Sequence, residues 1–587
     1  MTKSVLITLL WALLLSGSVR ASDITLVING SITDYEGNQY SAFTIKNGLF
    51  ETFYTDYAAI PGTVKNSARI IDARFNRIVP GLNDSHLHVV RGGRFYNLEL
   101  RWEGVTSLKE GLAMISRQAA RTPEGQWVRV IGGWSPYQFT EQRLPTPQEL
   151  TAAAPDVPVF VLHLYSTGIM NKKALEVLGI TRQSEAPPGS YYEKDASGNP
   201  TGVLVADPNP MLLYKTIAAL PQLSVQEQVN SSMQFFNQML QYGVTSAVDA
   251  GGGGHAFPQD YQASTQLAQQ GDLPLRISNY LFPQTPDTEM ISFMQWMDDF
   301  HADQNLHQHL PNGFVIEGGG ELLTYQASDY ENFRAARPEL PERAEHALEE
   351  VVRLHLLNRW PFRLHATYDE SISRILNVLE KVNQTQPVNS VRWIIDHAET
   401  ISDDNIEKIA ALGGAVAVQG RMAFAGEDFL ARYGKQQTAR TPPLKKLLEA
   451  GIDVGLGTDG TRVSSFNPWA TYYWAVSGKT VGGTPLIPKQ DLPDRLTALR
   501  LFTRGSAALS GEAQVKGSFT PGQYADFAIL NQDILHVDAE RLLSTRSLLT
   551  VVGGDIQYAD PQVYSKWHKP LPQATPLWSP VNLPLKK

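Results

Sequence analysis

The sequence predicts an α/β protein: a (β/α)8 barrel of the TIM type with a small β-sandwich domain built from both ends of the chain. The barrel is predicted because residues 79–512 alternate short apolar runs with helix-length amphipathic stretches, which is typical of repeated βα units and a parallel sheet. The β-domain is predicted because residues 22–78 and 513–587 share short strand-like segments separated by turn residues. A chain of 587 residues is long enough to form both units.

The first residues of the chain have the layout of a secretory signal peptide. Lys3 supplies a positive charge, an apolar run extends from Val5 to Leu15, and the small residue Ala21 precedes Ser22. The apolar run is well short of the roughly 20 residues that a membrane-spanning helix needs. We therefore expect residues 1–21 to be removed, which would leave a secreted or periplasmic protein without a membrane anchor.

Both ends of the mature chain contain strand-like segments of the predicted β-domain. Near the amino terminus these segments are Ile24–Ile28, Ala42–Ile45 and Ala68–Ile71, and near the carboxyl terminus they are Phe527–Leu530, Leu548–Val552 and Asp555–Tyr558. Short apolar or alternating runs bounded by glycine and asparagine favour β-strands. Because both ends have the same texture, we expect them to meet in one domain.

The middle of the chain contains the expected barrel strands and helices. The clearest strands are Val159–Leu162, Val244–Val248, Phe314–Ile316, Phe362–Leu364, Trp393–Ile395, Ala415–Val418 and Asp453–Leu456, and the clearest helices are Ser371–Val382, Asp404–Leu412 and Leu444–Ala450. A doubly wound open sheet is the alternative. It is disfavoured because Gly251–Gly254 is followed by His255 rather than by the Lys-Ser/Thr pair of a phosphate loop.

Composition limits the classes of partner and of metal ligand. The formal net charge of -9 leaves no basic surplus for phosphate backbones, so we expect a small-molecule substrate and no nucleic acid. The chain has no cysteine, which removes disulfides and thiolate ligands. Any metal must therefore be held by histidine, aspartate or glutamate. Scaffolds of this size often self-associate, and a homo-oligomer is compatible with the sequence.

The strongest local signal is a pair of histidines separated by one residue. His86 and His88 end the segment Val79–His88, which begins as a β-strand. Residues i and i+2 of an extended strand point to the same side, so the two imidazoles can reach one ion. The alternative for such a pair is a structural role in the core.

Three further residues with metal-binding side chains follow apolar runs later in the chain. His365 follows Phe362–Leu364, His397 follows Asp396, and Asp459 closes the run that starts at Val454. In a βα barrel the ends of different strands converge on one face, so these residues can meet His86 and His88. Four imidazoles and a carboxylate suit one or two ions of Zn²⁺ or a similar divalent metal.

These motifs resemble the amidohydrolase superfamily, specifically amidohydrolase family 3. The likeness spans nearly the whole mature chain and is carried by Pro80–His88, the later single histidines, Gly457–Asp459, Asn171–Leu175, Gly198–Gly202 and Lys516–Asp526. It implies an active site at the carboxyl ends of the barrel strands, with His86 and His88 on one metal and His365 and His397 on a second. Asp459 would be both a metal ligand and a proton acceptor.

The sequence departs from this family where the two metals would be bridged. Many members carry a lysine, often carboxylated, on the fourth strand, whereas this chain has Phe314-Val-Ile-Glu-Gly-Gly-Gly-Glu321 and no lysine there. Either Glu317 or Glu321 could bridge two cations instead. If neither does, the site would hold a single metal.

The chemistry expected of such a centre is hydrolysis of a carbon–nitrogen bond other than a peptide bond. A bound metal supplies the nucleophile because it lowers the pKa of water from roughly 15.7 to about 7. Asp459 would accept the proton of that water and return it to the leaving nitrogen. His163 and Tyr165, just after the run Val159–Leu162, are the expected substrate contacts.

Two other functions remain open. The same centre could hydrolyse a lactone or a phosphotriester, or catalyse an isomerisation, because one scaffold serves several reactions. The chain could also be a non-catalytic metal- or ligand-binding protein. Asp459 beside the histidines argues against this last function, since a binding protein needs no base.

Overall fold

The computed structural model describes residues 24–300, 313–327, 329, 333 and 342–583. The predicted signal peptide, residues 1–21, lies outside the described residues. No helix in the described part of the chain is both long enough and apolar enough to cross a membrane.

The largest sheet is an eight-stranded parallel barrel, which confirms the predicted fold class. Its strands pair in chain order. They are β1 Leu82–Leu87, β2 Val244–Asp249, β3 Arg276–Leu281, β4 Phe314–Gly319, β5 Phe362–Ala366, β6 Trp393–His397, β7 Ala415–Gln419 and β8 Asp453–Gly457. Nearly every strand residue is buried, as expected for a parallel sheet covered by helices outside and packed side chains inside.

Backbone hydrogen bonds beyond the strand ends help to close the barrel. The N–H of Asp459, just past β8, donates to the carbonyl of His86 in β1 at 2.8 Å. Across the short junction of β4 and β5, the N–H of His365 donates to the carbonyl of Glu321 at 2.9 Å. Both contacts join residues that the sequence selects as metal ligands. The backbone segments that help to close the barrel therefore also carry the candidate ligands.

The helices cover the barrel and begin and end at residues typical of helix caps. Ser402 accepts a hydrogen bond from the Asn405 N–H at the start of Asp403–Leu412, and Gly413 ends that helix at a φ of 69°. The α-helices are Gly62–Ser67, Val89–Phe95, Leu108–Ala119, Pro147–Ala153, Lys172–Leu178, Met211–Ala218, Val225–Gln241, Gln262–Gln270, Glu289–Asp299, Glu342–Leu357, Asp369–Asn383, Asp403–Leu412, Met422–Thr438, Leu444–Glu449, Pro468–Ser477, Arg495–Arg500 and Ser506–Leu509. The three helices expected from the sequence therefore form, each within two residues of its expected ends.

Two further sheets contain strands from both ends of the chain. One has four strands, in the order Leu49–Tyr54, Ala42–Lys46, Ile24–Ile28 and Arg69–Asp72. The other has six, in the order Asp555–Ala559, Ser547–Val552, Phe527–Leu530, Arg77–Pro80, Ser31–Thr33 and Gln39–Tyr40. The aromatic rings of Phe43 and Phe527 meet edge to face between these sheets, with centroids 5.1 Å apart. Both ends of the sequence thus contribute to one apolar core.

A five-stranded sheet is inserted between β1 and β2, and it corrects one sequence expectation. Its strands, in order, are Ser190–Lys194, Pro200–Ala206, Thr167–Met170, Val159–His163 and Val128–Val130. The prediction that Val159–Leu162 is a barrel strand is therefore wrong. A buried apolar run indicates a strand but not its neighbours, and here the neighbours are Val128–Val130 and Thr167–Met170.

Candidate metal centre

His86 is fully buried on β1, with one ring nitrogen held and the other directed at carboxylates. Its Nδ1 donates to Asp396 Oδ1 at 2.9 Å. Its Nε2 has no hydrogen-bond partner among the described residues and lies 3.6 Å from Glu321 Oε2 and 3.8 Å from Asp459 Oδ1. A buried lone pair facing two carboxylates fits a bound cation, which would satisfy all three groups.

His88 follows β1 and is oriented in the same way. Its Nδ1 donates to the carbonyl of Gly251 at 2.6 Å, which leaves Nε2 directed at Asp459 Oδ1, 3.1 Å away. The loop that supplies this carbonyl must pass very close to the imidazole. Gly252 has a φ of 142°, and a Cβ there would lie 3.0 Å from His88 Nδ1, so the position requires glycine.

Glu321 lies between the two pairs of histidines. Its Oε2 is 3.1 Å from His365 Nδ1 and 3.1 Å from His397 Nε2, while its Oε1 is 3.9 Å from His88 Nε2. Burial raises the pKa of the Glu321 carboxyl, but the imidazoles of His86, His365 and His397 offset this and hold the pKa well below its usual range. The carboxylate is therefore ionised and reaches both histidine pairs.

Glu317, the other glutamate proposed from the sequence, lies elsewhere. It is buried on β4, where its Oε1 accepts a hydrogen bond from Arg392 Nη2 at 2.7 Å and one from the Tyr280 hydroxyl at 3.1 Å. We therefore remove Glu317 from the ligand set. The physical reason is the chain path: Glu317 points away from the histidines within the strand, whereas Glu321 lies beyond the strand end, where the site is.

Asp459 and His397 both adopt backbone conformations that L-residues seldom adopt. Asp459 has a φ of 52° and His397 a φ of 78°. Arg421 contacts both, with its Nη2 2.9 Å from His397 Nδ1 and 3.3 Å from Asp459 Oδ2. Burial raises the pKa of Asp459, but His88, His86, His397 and Arg421 together lower it far below the usual range. Such residues cluster at functional sites, where the surrounding structure holds them.

The six residues form three overlapping groups that could each hold a metal ion. Within each group the ligand atoms lie within 4.8 Å of one another, and the groups are His86, His88 and Glu321; His86, His397 and Asp459; and Glu321, His365 and His397. Imidazole nitrogens with carboxylate oxygens are the donors preferred by Zn²⁺ and similar divalent ions. The arrangement therefore has the donors for one ion or for two that share Glu321.

Several residues that orient these ligands were not predicted from the sequence. Asp396 also accepts a hydrogen bond from Arg363 Nε at 3.0 Å and contacts Arg363 Nη2, and both residues are fully buried. Burial raises the pKa of Asp396, but Arg363 and His86 lower it, to about 2. His365 Nε2 lies 3.0 Å from Asp329 Oδ1. An arginine inside an apolar strand, two residues before a ligand histidine, was the available signal for Arg363.

A cavity of about 630 Å³ opens onto this centre. Its wall includes His88, Glu321, His365, His397 and Asp459. Tyr165, one of the two substrate contacts expected from the sequence, also lines it. His163, the other, is buried against Trp134 with ring centroids 5.4 Å apart and does not belong to this wall. We therefore withdraw His163, because it points into the core of the inserted sheet.

Comparison with known proteins gives relatives of similar length and architecture. The chain is 23% identical over 554 residues to the N-substituted formamide deformylase of Arthrobacter pascens, covering 91% of this chain and 98% of that protein. It is 24% identical to the protein LONG AFTER FAR-RED 3 of Arabidopsis thaliana, covering 91% of each. Among solved structures, an uncharacterized metal-dependent hydrolase from Pyrococcus horikoshii matches with a TM-score of 0.61 and 21% identity, over 88% of this chain and 99% of that one.

The family match covers all eight barrel strands and parts of the chain on both sides of them. Residues 69–558 match the model of the amidohydrolase family. This range contains all six residues of the candidate metal centre. The chain therefore belongs to the amidohydrolase family.

Proposed function

We propose that this enzyme hydrolyses a carbon–nitrogen bond of a small amide-like molecule, using water activated by one or two divalent metal ions, most naturally Zn²⁺. The observation that carries the proposal is the convergence of four histidines, Glu321 and Asp459 at the floor of an open cavity. A centre that served only to stabilise the fold would have a closed coordination shell instead.

The ligands divide into two sets around Glu321. His86 and His88 would hold one ion, His365 and His397 a second, and Glu321 would contribute to both sets. A bound divalent ion supplies a water whose pKa is lowered to about 7 and an electrophile for the carbonyl oxygen. Asp396 and the Gly251 carbonyl fix the tautomers of His86 and His88 so that Nε2 is free for a metal.

Asp459 is the proposed proton acceptor and donor. It lies at the cavity wall, 3.1 Å from His88 Nε2, and Arg421 fixes its second oxygen at 3.3 Å. In this position it can take a proton from the attacking water and deliver it to the leaving nitrogen. Tyr165 is retained as a substrate contact, because its ring lines the same cavity.

The proposed substrate class is supported by the volume of the cavity and by the name of one relative. A volume of about 630 Å³ suits a molecule of drug-like size rather than a polymer. One relative is named as a deformylase of N-substituted formamides, and we propose an amide or formamide bond here too. A lactone or phosphotriester remains the second reaction class to test, since the same donors would serve it.

We also propose that the protein acts outside the cytoplasm. The amino-terminal layout of Lys3, the apolar run and Ala21 supports this. Fractionation of the native host with amino-terminal sequencing of the mature protein tests it. A chain that begins at Met1 in the cytoplasmic fraction would contradict it.

The function is tested by metal analysis combined with a substrate panel. The purified protein is assayed for bound metal by mass spectrometry, and hydrolysis is measured for formamides, other amides, lactones and phosphotriesters before chelation, after chelation and after Zn²⁺ is restored. We expect amide or formamide hydrolysis that is lost with the metal and returns with it. Carefully purified protein that binds no metal would overturn the proposal, and hydrolysis confined to lactones or phosphotriesters would reassign the reaction.

A further inference from the structure

We propose that Arg91 and Arg462 form a carboxylate-binding subsite, so that the preferred substrate is an amide that carries a free carboxylate. This inference rests on the proposed function and adds a substrate class to it. Both arginines line the same cavity as the metal ligands. The subsite would hold one end of the substrate while the centre acts on its amide bond.

Both guanidinium groups are buried, and each has N–H donors that lack a hydrogen-bond partner among the described residues. Arg91 is 3% exposed and Arg462 6% exposed. The unpaired atoms are Nε and Nη2 of Arg91 and Nε and Nη1 of Arg462. Arg462 also hydrogen-bonds to the side chain of Tyr165, which lines the same cavity. Leaving such charged donors unsatisfied is costly, so a ligand with acceptor oxygens is expected to meet them.

A neighbouring arginine shows what a purely structural group in this wall looks like. Arg94 also lines the cavity, but its Nη2 pairs with Asp260 at 2.6 Å and its Nε donates to Gln228 at 3.2 Å. Its charge is therefore already balanced by the protein. Arg91 and Arg462 differ in that no carboxylate among the described residues forms a direct ion pair with either of them. Asp249 and Asp459 act on Arg91 only from a greater distance.

The positions of the two arginines are fixed relative to the metal centre. Arg91 comes three residues after His88, in the helix Val89–Phe95, and Arg462 comes three residues after Asp459. Short backbone segments thus connect each guanidinium to a residue of the centre. A substrate anchored by its carboxylate would have its amide carbonyl held at a set distance from the reacting groups, which is how positioning accelerates a reaction.

The electrostatics of the pair favour an anion between the two groups. Burial lowers the pKa of Arg462 and the charge of Arg91 lowers it further, while Tyr165 and Tyr214 offset part of this effect, so the two cations lie close enough to repel. The pKa of Arg91 is raised, because nearby tyrosines and carboxylates outweigh its burial. Burial likewise lowers the pKa of His255 well below its usual value, with Arg91 and Arg94 adding to the effect, so this histidine is neutral. An anionic ligand would relieve the repulsion, and His255 would not oppose or replace the arginines.

The geometry of the guanidinium group and the rest of the wall define the ligand. Arginine presents a planar fork of N–H groups that matches a carboxylate or a phosphate. The remaining wall contains Phe95, Ile217 and Phe282, which suit an apolar body. We therefore expect a carboxylate attached to an apolar group and test phosphate as the other oxyanion.

Binding is measured first, because it does not depend on turnover. The zinc-loaded protein is titrated calorimetrically with phenylacetate, with neutral phenylacetamide and with inorganic phosphate. We expect phenylacetate to bind, and its Kd to rise about 10-fold or more in Arg91→Met and in Arg462→Met. Arg117→Met, which removes a half-exposed arginine paired with Glu110 on the outer surface, is the matched control and should bind as the wild type does.

Metal content is measured in every variant so that lost binding cannot be attributed to lost metal. Arg91→Lys is a second variant that keeps the charge and removes the fork; we expect it to bind more weakly than the wild type. Phenylacetate affinity that is the same in the wild type, Arg91→Met and Arg462→Met would overturn the proposal. Binding of phosphate without binding of phenylacetate would overturn the carboxylate assignment.

Hydrolysis of a matched substrate pair separates this inference from the proposed function. N-formylphenylalanine carries the carboxylate, and N-formylphenylalaninamide replaces it with a neutral amide of similar size. We expect kcat/KM to favour the acid by about 10-fold or more, and each arginine variant to abolish that preference. Equal hydrolysis of both, unchanged in the variants, would remove the subsite and keep the function. Hydrolysis of neither compound and of no amide or formamide in the panel, with arginine-dependent binding of phenylacetate, would remove the function and keep the subsite.

Discussion

Asp396 accepts a hydrogen bond from Nδ1 of His86 at 2.9 Å, and this contact leaves Nε2 of His86 facing Glu321 and Asp459. Asp396 is itself held by the buried guanidinium of Arg363. A histidine whose ring is fixed through its outer nitrogen presents the inner nitrogen to a metal in a defined direction. The contacts from Arg363 to Asp396 and from Asp396 to His86 therefore set the geometry of the proposed centre.

We expect Asp396→Asn to weaken metal binding by about 10- to 100-fold, because the neutral amide is a poorer acceptor for His86 and no longer balances Arg363. Metal affinity is measured by competition with a chelator. Asp403→Asn is the control, since Asp403 is exposed and pairs with Arg440 and Lys446 outside the metal centre. Unchanged affinity in Asp396→Asn would show that this contact does not tune the site.

Asp459→Asn should reduce kcat by about 10²- to 10⁴-fold while most of the metal is retained, because the histidines and Glu321 remain as ligands and only proton transfer is lost. Steady-state kinetics and metal analysis on the same preparation check this. Asp453→Asn, at the exposed start of β8, is the matched control and should leave kcat unchanged. A fully active Asp459→Asn enzyme would remove the role assigned to this residue.

Removing the charge of Glu321 and removing that of Glu317 should have different effects on the protein. Glu321→Gln is expected to lower the metal content per chain, because its oxygens reach both histidine pairs. Glu317→Gln should retain the metal and lower the thermal midpoint, because it weakens a buried contact with Arg392. Loss of metal in Glu317→Gln and not in Glu321→Gln would reverse the assignment.

His355, which lies outside the metal centre, should make the free energy of unfolding depend on pH. It is fully buried, with its Nδ1 donating to the Val351 carbonyl at 2.8 Å, and burial lowers its pKa to about 4. The unfolded chain binds a proton near pH 6.5, so the folded state loses stability as the pH falls from about 6.5 towards 4. Above about pH 6.5 the contribution of the neutral, buried His355 to stability is fully present.

The thermal midpoint measured from pH 4.5 to 7 tests this for His355→Gln against the wild type. We expect the variant to have a lower midpoint at pH 7 and a smaller loss on acidification. His346→Gln, which changes an exposed histidine of the same helix, should follow the wild type at every pH. Parallel curves for His355→Gln and the wild type would contradict the assignment.

The sequence predicts the barrel well because its strands are continuous apolar runs and its helices have regular caps and spacing. It also selects five residues that the structure brings together, His86, His88, His365, His397 and Asp459. In a parallel barrel, the position of a residue at a strand end nearly determines its place in space. This is why residues far apart in the chain could be assigned to one site.

Features that depend on pairing or on side-chain direction could not be predicted in this way. Val159–His163 has the composition of a barrel strand, and only its hydrogen-bonded neighbours show that it belongs to the insertion. The choice between Glu317 and Glu321 depended on the path of a glycine-rich turn. Arg363 and Asp396 were missed because a buried ion pair on adjacent strands is formed by residues that look unrelated in sequence.

The inserted region contributes part of the cavity wall and none of the proposed metal ligands. Tyr165 and the helix Met211–Ala218 bring side chains from the insertion into the cavity wall, while every proposed metal ligand and both arginines of the proposed subsite lie outside it. Exchange of residues 99–223 with the corresponding region of a relative would alter which molecules are admitted and leave the hydrolytic apparatus intact. One segment of the chain can therefore change the shape of the cavity while the proposed ligands and the carboxylate anchor stay in place.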